Sequence, residues 1–264
     1  MLTSVRGLLA ATLMAGSMLA AVPAYADETD PPSDITISGN VALVTDYRFR
    51  GLSQSAGDPA IQGTVNVNHS SGLYAGLWSS SINFANVSAA ADATYGNQEL
   101  DIYAGWTGEV TSGVTADVGL LYYVYPGGHV GKANFFEPYA SLSTTLGPVT
   151  AKAGVNYAWK QASLDFNADG QSDDSVYAYV DLSASIPDTP LSLSGHVGYA
   201  DGALTPNFAT GKTLAYKGGW DYNIGASFAV TKNVSIGATY IGVDGNSIHD
   251  YSNDTVVGTL KVTF

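Results

Sequence analysis

The last ten residues of the chain, 255–264, alternate between apolar and polar side chains. One face of an extended strand over this range would carry Val256, Gly258, Leu260, Val262 and Phe264. Such a strand must pair both of its edges, because an unpaired edge is a template for association with other chains. Pairing the last strand with the first closes a barrel, and an apolar outer face then indicates that lipid surrounds it.

The same alternation recurs along the chain in segments of roughly ten residues, the length that a tilted strand needs to cross a bilayer. We predict strands at 35–50, 60–70, 73–84, 98–110, 114–125, 135–146, 149–161, 175–186, 191–200, 220–230, 234–243 and 255–264. Short turns between them alternate with longer loops, as in outer-membrane barrels whose termini are both periplasmic and whose longer loops are extracellular. The predicted fold is therefore all-β, with residues 35–264 forming one antiparallel transmembrane β-barrel of about twelve strands.

Aromatic side chains on the outward face support a membrane barrel over a soluble β-sandwich or lipocalin-like barrel, which buries its apolar face. A bilayer-spanning barrel carries aromatic girdles where its wall meets the two membrane surfaces. We expect one such girdle near the long loops. Its members are Tyr47, Phe49, Trp106, Tyr122, Phe136, Tyr157, Trp159, Tyr199, Trp220 and Tyr222.

Composition narrows the class of protein further. Only 12% of the residues are charged, against about 25% in soluble domains. The chain contains no Cys, which excludes disulfides and thiolate metal sites. Its net charge of −13 argues against nucleic acid as a partner.

Residues 1–26 have the pattern of a secretory signal peptide. Arg6 supplies the positive charge, residues 8–22 form an apolar core, and residues 24–26 read Ala-Tyr-Ala, a typical cleavage site. Residues 27–34 form a polar, Pro-containing leader without strand character. We expect export to the outer membrane of a Gram-negative bacterium, with outer-membrane lipid and the barrel-assembly machinery as partners.

The segment 38–84 resembles the TorF-type porin family of proteobacteria. The resemblance rests on TDYRFRGLSQS at 45–55, DPAIQG at 58–63, SGLYAGLW at 71–78 and ELDIYAGW at 99–106, and continues more weakly through YPGG at 125–128. It implies an outer-membrane barrel that is regarded as a porin by inference. The family supplies no catalytic residues and no well-defined solute.

Enzymatic motifs are missing from the sequence: it has no P-loop, no G-x-S-x-G and no H-E-x-x-H. A barrel hydrolase that acts on lipid through Ser and His is one alternative function. A structural or adhesion barrel with a plugged lumen and no transport is another. We expect no enzyme and no required cofactor.

One acidic loop has the spacing of a calcium site. Its oxygen ligands would be Asp165, Asn167, Asp169 and Asp173. Position 12 of such a loop is Val176 here, so the bidentate Glu is missing. The loop predicts weak calcium binding at most, and an acidic surface turn is the simpler interpretation.

The polar face of each predicted strand should line the lumen. The charged pore-lining residues would be Asp46, Arg48, Arg50, Glu99, Asp101, Glu109, Asp117, Glu137, Lys152, Lys160, Asp181, Asp221 and Lys261. The first three would form either a charged constriction or an ion-pair network that stabilises a filled barrel. Eight of the thirteen are acidic and five are basic, which predicts a narrow channel for small hydrophilic solutes with a mild preference for cations.

Overall fold

The structure is a computed structural model that describes residues 34–85, 89–129, 132–165, 172–206, 218–245 and 247–264. The strands are β1 (Ile35–Val44), β2 (Arg48–Phe49), β3 (Leu52–Ser53), β4 (Ala60–His69), β5 (Leu73–Ser81), β6 (Gln98–Thr111), β7 (Val114–Val124), β8 (Phe135–Leu146), β9 (Val149–Ala158), β10 (Ser175–Ser185), β11 (Leu191–Gly202), β12 (Gly219–Ala229), β13 (Val234–Val243) and β14 (Thr255–Thr263). A short helix, α1 (Ala89–Tyr95), and a 3-10 turn at Ala162–Leu164 lie in the connections. The predicted signal peptide and nearly all of the predicted leader lie outside the described residues and stay predictions.

Twelve of these strands form one closed antiparallel barrel in the order β1-β14-β13-β12-β11-β10-β9-β8-β7-β6-β5-β4. The closure occurs at β1, where Val41 pairs with Val262 of β14 on one edge and with Gly63 of β4 on the other. Because every barrel strand has two neighbours, no edge of the barrel is left unpaired. The predicted closed barrel of about twelve strands is thereby confirmed.

The two ends of the barrel differ in how the strands are connected. One end, here called the turn end, carries the short connections at 70–72, 112–113, 147–148, 186–190 and 230–233. The other, the loop end, carries the longer connections at 45–59, 82–97, 125–134, 159–174, 203–218 and 244–254. β1 begins and β14 finishes at the turn end. Among the described residues, no helix is long and apolar enough to cross a membrane.

The outward face of the barrel is apolar. Large aliphatic side chains project from it into the surroundings, with Ile37, Ile61 and Ile224 each at least 64% exposed. Seven of the nine exposed aromatic residues in the described ranges lie toward the loop end, and Phe228 and Phe264 lie at the turn end. The seven are Phe136, Tyr157, Trp159, Tyr199, Trp220, Tyr222 and Tyr240. A surface of this kind is what a bilayer-spanning barrel presents to lipid.

Three aromatic residues do not lie where the sequence pattern placed them. Tyr47 is buried and Phe49 packs against the interior cluster, because β1 ends at Val44 and the chain turns into the barrel. Trp106 pairs with Leu73 and lies at the turn end, where its indole N–H donates to the carbonyl of Ser71. The prediction that these three side chains belong to a girdle at the loop end was wrong.

The interior is filled unevenly along the barrel axis. Toward the loop end, apolar side chains pack into one cluster that includes Val44, Tyr47, Trp78, Leu121, Tyr123, Phe135, Ile241 and Val257. Toward the turn end, many inward positions carry small polar side chains that remain half-buried, among them Asn66, Ser143, Ser194, Ser227 and Ser235. Charged side chains lie beside the apolar cluster, since Asp101 pairs with Trp78 and Tyr123 in the strand register. The candidate site is built from these charged side chains.

Candidate functional site

A small hairpin, residues 48–53, enters the lumen from the loop end and is called the crossing hairpin below. Phe49 pairs with Leu52, so Arg50 and Gly51 form its two-residue turn. Both turn residues have positive φ, 47° for Arg50 and 79° for Gly51. This is the turn geometry that matches the natural twist of a two-stranded ribbon. The predicted placement of Asp46, Arg48 and Arg50 on the first barrel strand was therefore wrong, although all three are buried inside the barrel.

The base of the crossing hairpin is held by a buried ion pair. Arg48 Nε donates to Asp46 Oδ2 at 2.5 Å, and the hydroxyls of Ser53 and Ser55 donate to Asp46 Oδ1 at 2.6 and 3.1 Å. A second nitrogen of Arg48 donates to the carbonyl oxygens of Tyr251 and Asn253 at 3.1 and 2.9 Å. One guanidinium thus ties the hairpin to the loop between β13 and β14.

The tip of the crossing hairpin reaches the opposite wall. Arg50 Nη2 donates to Glu137 Oε1 on β8 at 2.7 Å, and the Arg50 guanidinium lies 4.2 Å from the ring centre of Tyr177 on β10. Strands β8 and β10 flank β9, which lies diametrically opposite β1 in the strand order. The other Glu137 oxygen accepts from the Tyr123 hydroxyl and the Asn156 amide at 3.1 and 2.9 Å. The hairpin therefore spans the full width of the lumen.

A second polar network lies on the wall formed by β10, β11 and β12. His196 lies between two carboxylates, with Nδ1 2.5 Å from Asp181 Oδ1 and Nε2 3.0 Å from Asp221 Oδ1. The hydroxyl of Tyr177 donates to Asp221 at 3.1 Å. Sequence reasoning placed Asp181 and Asp221 on this wall but missed His196. A signal was available, because His196 lies directly opposite Asp181 in the pairing of β10 with β11. The short turn between these two strands would have allowed that register to be predicted.

Two acids on β6 complete the group of buried charged residues. Glu99 accepts a hydrogen bond from the Tyr47 hydroxyl at 3.2 Å. Burial, followed by the nearby charge of Glu99, raises the pKa of Tyr47 well above its ordinary value, so its hydroxyl stays protonated and can donate. Asp101 is 0% exposed, and neither of its carboxylate oxygens has a hydrogen-bond partner among the described residues. Two nitrogens of Arg50, Nε and Nη1, are likewise unpartnered there.

The remaining predicted pore residues fall into two groups. Asp117, Lys152 and Lys261 lie on the inner face, and Asp117 accepts from the Tyr74 hydroxyl at 2.6 Å. Glu109 lies instead at the exposed rim of the turn end, where it accepts from the backbone N–H of Gly113. Lys160 lies two residues past Ala158, the last residue of β9, and is exposed in a loop. The prediction that Lys160 lines the lumen wall was wrong, because the strand ends before it. Glu109 keeps the inward phase of β6, and its place on the lumen wall stays a prediction.

The balance of charge inside the barrel is negative in the described residues. The inner acids are Asp46, Glu99, Asp101, Asp117, Glu137, Asp181 and Asp221, and the Lys and Arg residues are Arg48, Arg50, Lys152 and Lys261. Seven minus four leaves a formal excess of three acids over Lys and Arg, the same excess that the sequence predicts. His196, held between Asp181 and Asp221, adds one positive charge when it is protonated. Removing Glu109 and Lys160 from the set takes away one charge of each sign.

A cavity of about 400 Å³ lies between the crossing hairpin and the loops above it. Seven aromatic side chains line it, and they are Phe49, Phe84, Tyr95, Tyr123, Tyr125, Phe135 and Tyr251. Glu99 is the one carboxylate among the described lining residues, and no Lys, Arg or His belongs to them. Sequence patterns did not predict this cavity, because its walls come from five different connections as well as from strand ends.

The arrangement needed for a Ser–His hydrolase is not found among the described residues. His196 contacts a tyrosine and two aspartates rather than a serine. His69 Nδ1 lies 2.8 Å from the Ser71 hydroxyl, but this pair is exposed in the turn between β4 and β5. No cluster of three or more His, Asp or Glu side chains in the described ranges is arranged to hold a metal ion. Asn167 and Asp169 of the predicted calcium loop lie outside those ranges, so that loop stays a prediction.

Solved structures of outer-membrane channels share this fold. The NanC porin is 12% identical with a TM-score of 0.56, and the match covers 87% of this chain and 99% of that one. The KdgM porin is 9% identical with a TM-score of 0.52, covering 86% and 98%. The COG4313 outer membrane channel from Pseudomonas putida F1 is 11% identical with a TM-score of 0.51, covering 90% and 99%. At these identities the likeness shows the fold alone.

No curated protein sequence matches the chain. One family model does, and it matches almost the whole of the predicted mature protein, residues 28–264. The family is described as a bacterial protein of unknown function, Gcw_chp. The chain therefore belongs to the Gcw_chp family.

Proposed function

We propose that this protein is an outer-membrane channel for passive diffusion of small hydrophilic solutes, mildly selective for cations and narrowed by the crossing hairpin. The short turns and both termini of the chain would face the periplasm, and the long loops the outside. The barrel-assembly machinery and outer-membrane lipid would be its partners. The TorF-type resemblance of 38–84 and the fold shared with porins support this proposal.

The observation that carries the proposal is the group of buried charged residues around the tip of the crossing hairpin. Asp101 is fully buried without a hydrogen-bond partner among the described residues, and Arg50 has two unpartnered nitrogens there. An uncompensated buried charge costs several kcal/mol in a dry protein interior. Water or a polar solute at this level would satisfy these groups. Water would reach these groups along a solute path from the turn end, where the inward side chains are polar and half-buried.

The packed loop end supports the rival function, a plugged barrel without transport. The crossing hairpin and the apolar cluster of Tyr47, Trp78 and Phe135 fill this part of the interior. A plug needs no passage around the hairpin, whereas a channel needs the hairpin to leave a narrow path or to move aside. The two functions therefore differ in one measurable property: a channel lets small solutes cross the folded barrel, and a plugged barrel does not.

Liposome swelling separates them. Vesicles that carry the folded protein should swell in a small neutral sugar such as arabinose and fail to swell in a large dextran. Vesicles with heat-denatured protein are the control. Absence of swelling with folded protein would support the plugged barrel, and release of fatty acid from the vesicle lipid would instead indicate a hydrolase.

A further inference from the structure

We propose that the cavity between the crossing hairpin and the loops binds a small organic cation, an amine or quaternary ammonium compound with an apolar body. Its volume of about 400 Å³ is within the range of small-molecule sites. The site lies inside the barrel whether or not the lumen conducts. Binding there is a property separate from the proposed transport and is measured separately.

The walls of the cavity supply the contacts for an apolar body and for a diffuse positive charge. Tyr95 and Tyr125 meet edge to face with ring centres 4.8 Å apart, and Phe84 lies 5.0 Å from Tyr95. Tyr123 and Phe135 stack at 4.3 Å on another side. Several ring faces and edges around one chamber form the kind of cage that recognises quaternary ammonium groups through cation–π attraction.

Charge decides which kind of ligand the cage prefers. Glu99 lines the cavity, and Asp101 lies two residues further along the same face of β6. The guanidinium of Arg50 pairs with Glu137 on the opposite wall. A positive ligand would therefore gain an ionic contact with Glu99 in a site walled by low-dielectric rings, where such a contact acts strongly.

The composition of the lining disfavours the other ligand classes. An anionic ligand would find no Lys, Arg or His among the described lining residues and would face Glu99. A neutral apolar ligand would fill the space but make no ionic contact with Glu99. A sugar would find few polar partners, since the lining is dominated by Phe, Tyr, Leu and Ala side chains.

A matched ligand series tests the proposal on the unmodified, detergent-folded barrel. Calorimetry would compare benzyltrimethylammonium with neutral benzyl methyl sulfone and anionic benzylsulfonate, which share the benzyl group and differ in charge. We expect the cation to bind about tenfold or more tightly than the neutral compound, which corresponds to about 1.4 kcal/mol. Equal binding of all three, or no binding of the cation to folded protein, would overturn the proposal.

Variants then locate the site. Glu99→Gln keeps the shape and the acceptor for Tyr47 but removes the charge, and should weaken cation binding about tenfold. Asp117→Asn is the matched control, because it removes a buried acid six residues from Tyr123 on β7, roughly 20 Å along the strand. It should leave cation binding within about twofold of the parent. Equal losses in both variants would mean that only the overall charge of the barrel matters and would contradict a local site.

A ring variant separates cation–π attraction from simple apolar contact. Tyr125→Leu keeps an apolar wall and should weaken binding of the cation about threefold or more while changing binding of the sulfone little. Parallel losses for both ligands would contradict the cage. Each variant is first checked for a folded barrel by its gel mobility before and after boiling. Liposome swelling reports on transport independently, so failure of ligand binding and failure of conduction are distinguishable.

Discussion

Arg50 and Glu137 meet inside the barrel, where both side chains are almost fully buried. Their ion pair is the contact that holds the hairpin tip to the opposite wall. Removing one member of a buried pair leaves the other charge uncompensated, which costs about 3 kcal/mol or more. We expect Arg50→Ala to lower the free energy of unfolding in urea by about that amount. Lys232→Ala, at an exposed cation in a turn, should change it by less than about 0.5 kcal/mol.

A double variant that changes Arg50 and Glu137 together tests whether the loss of stability comes from the unpaired charge of Glu137. In the double variant Arg50→Ala, Glu137→Gln, the orphaned charge is gone while Tyr123 and Asn156 keep an acceptor. We expect this variant to regain much of the stability that Arg50→Ala loses. A double variant as unstable as the sum of the two single variants would show that the pair is not coupled.

Sequence periodicity located the inward side chains well wherever a strand is regular. Asp101, Asp181 and Asp221 are buried on the polar phase of their strands, as alternation requires. Arg50 is also inside, but through a different geometry, because residues 46–50 keep an alternating pattern while the chain has already left the wall. Alternation cannot distinguish a strand that continues along the wall from a hairpin that turns inward, because the sequence pattern is the same in both.

At the scale of elements, the short turns depend on glycine to different degrees. Gly72 joins β4 to β5 with a φ of +91°, and a Cβ there would collide with the carbonyl of Thr107 and the indole of Trp106. Gly113 joins β6 to β7 with a φ of +76°, and a Cβ there would meet nothing within 4 Å. Gly113→Ala should therefore cost only the strain of positive φ, about 1 kcal/mol. We expect Gly72→Ala to cost clearly more in urea unfolding, and equal costs would contradict the packing at this turn.

The crossing hairpin is the element most able to control passage. Arg48 ties it to the carbonyl oxygens of Tyr251 and Asn253. Arg48→Ala should loosen that tie and raise the mean conductance of reconstituted protein, whereas Lys160→Ala, at an exposed loop cation, should not. Unchanged conductance in folded Arg48→Ala protein would mean that the hairpin does not limit flow.

The opposite manipulation locks the same element. The backbone N–H of Ser53 donates to the carbonyl of Tyr251 at 2.8 Å, which brings the two residues close enough for a designed disulfide. Because the chain has no Cys, the variant Ser53→Cys, Tyr251→Cys can form only this bond within a chain. We expect oxidation to abolish openings that reductant restores. Equal conductance in the oxidised and reduced variant would contradict the idea that the hairpin moves.

The whole molecule combines an apolar exterior with a negatively charged interior. The rhythm of short turns and long loops and the apolar phase of the regularly alternating strands were readable from sequence because each is a local pattern. The phase of 73–84 was not, since Leu73 and Leu77 are as apolar as Tyr74 and Trp78, and the structure exposes the two leucines. The cavity and the interior networks were not, since they join residues such as Glu99, Phe135 and Tyr251 that are far apart along the chain. Packing between residues that are far apart along the chain produces no periodic pattern in the sequence.

The lumen charge makes a prediction at this scale. The formal excess of acids over Lys and Arg among the described inner residues should raise the local cation concentration in a narrow pore. At about 0.15 M salt the Debye length is about 8 Å, so the preference should be present there and weaken in concentrated salt. Reversal potentials across a potassium chloride gradient measure it. Preference for chloride at low salt would contradict the charge balance and direct attention to Arg48 and Arg50.

The central claim is that solutes pass through the folded barrel, and single-channel recording in planar bilayers tests it most directly. Protein whose folding is verified by its gel mobility before and after boiling should produce discrete, reproducible conductance steps on insertion. The steps should be small, because a barrel of twelve strands crossed by a hairpin leaves little open area. Verified insertion of folded protein without any conductance step, over the full range of voltage and salt, would contradict the channel and establish the plugged barrel in its place.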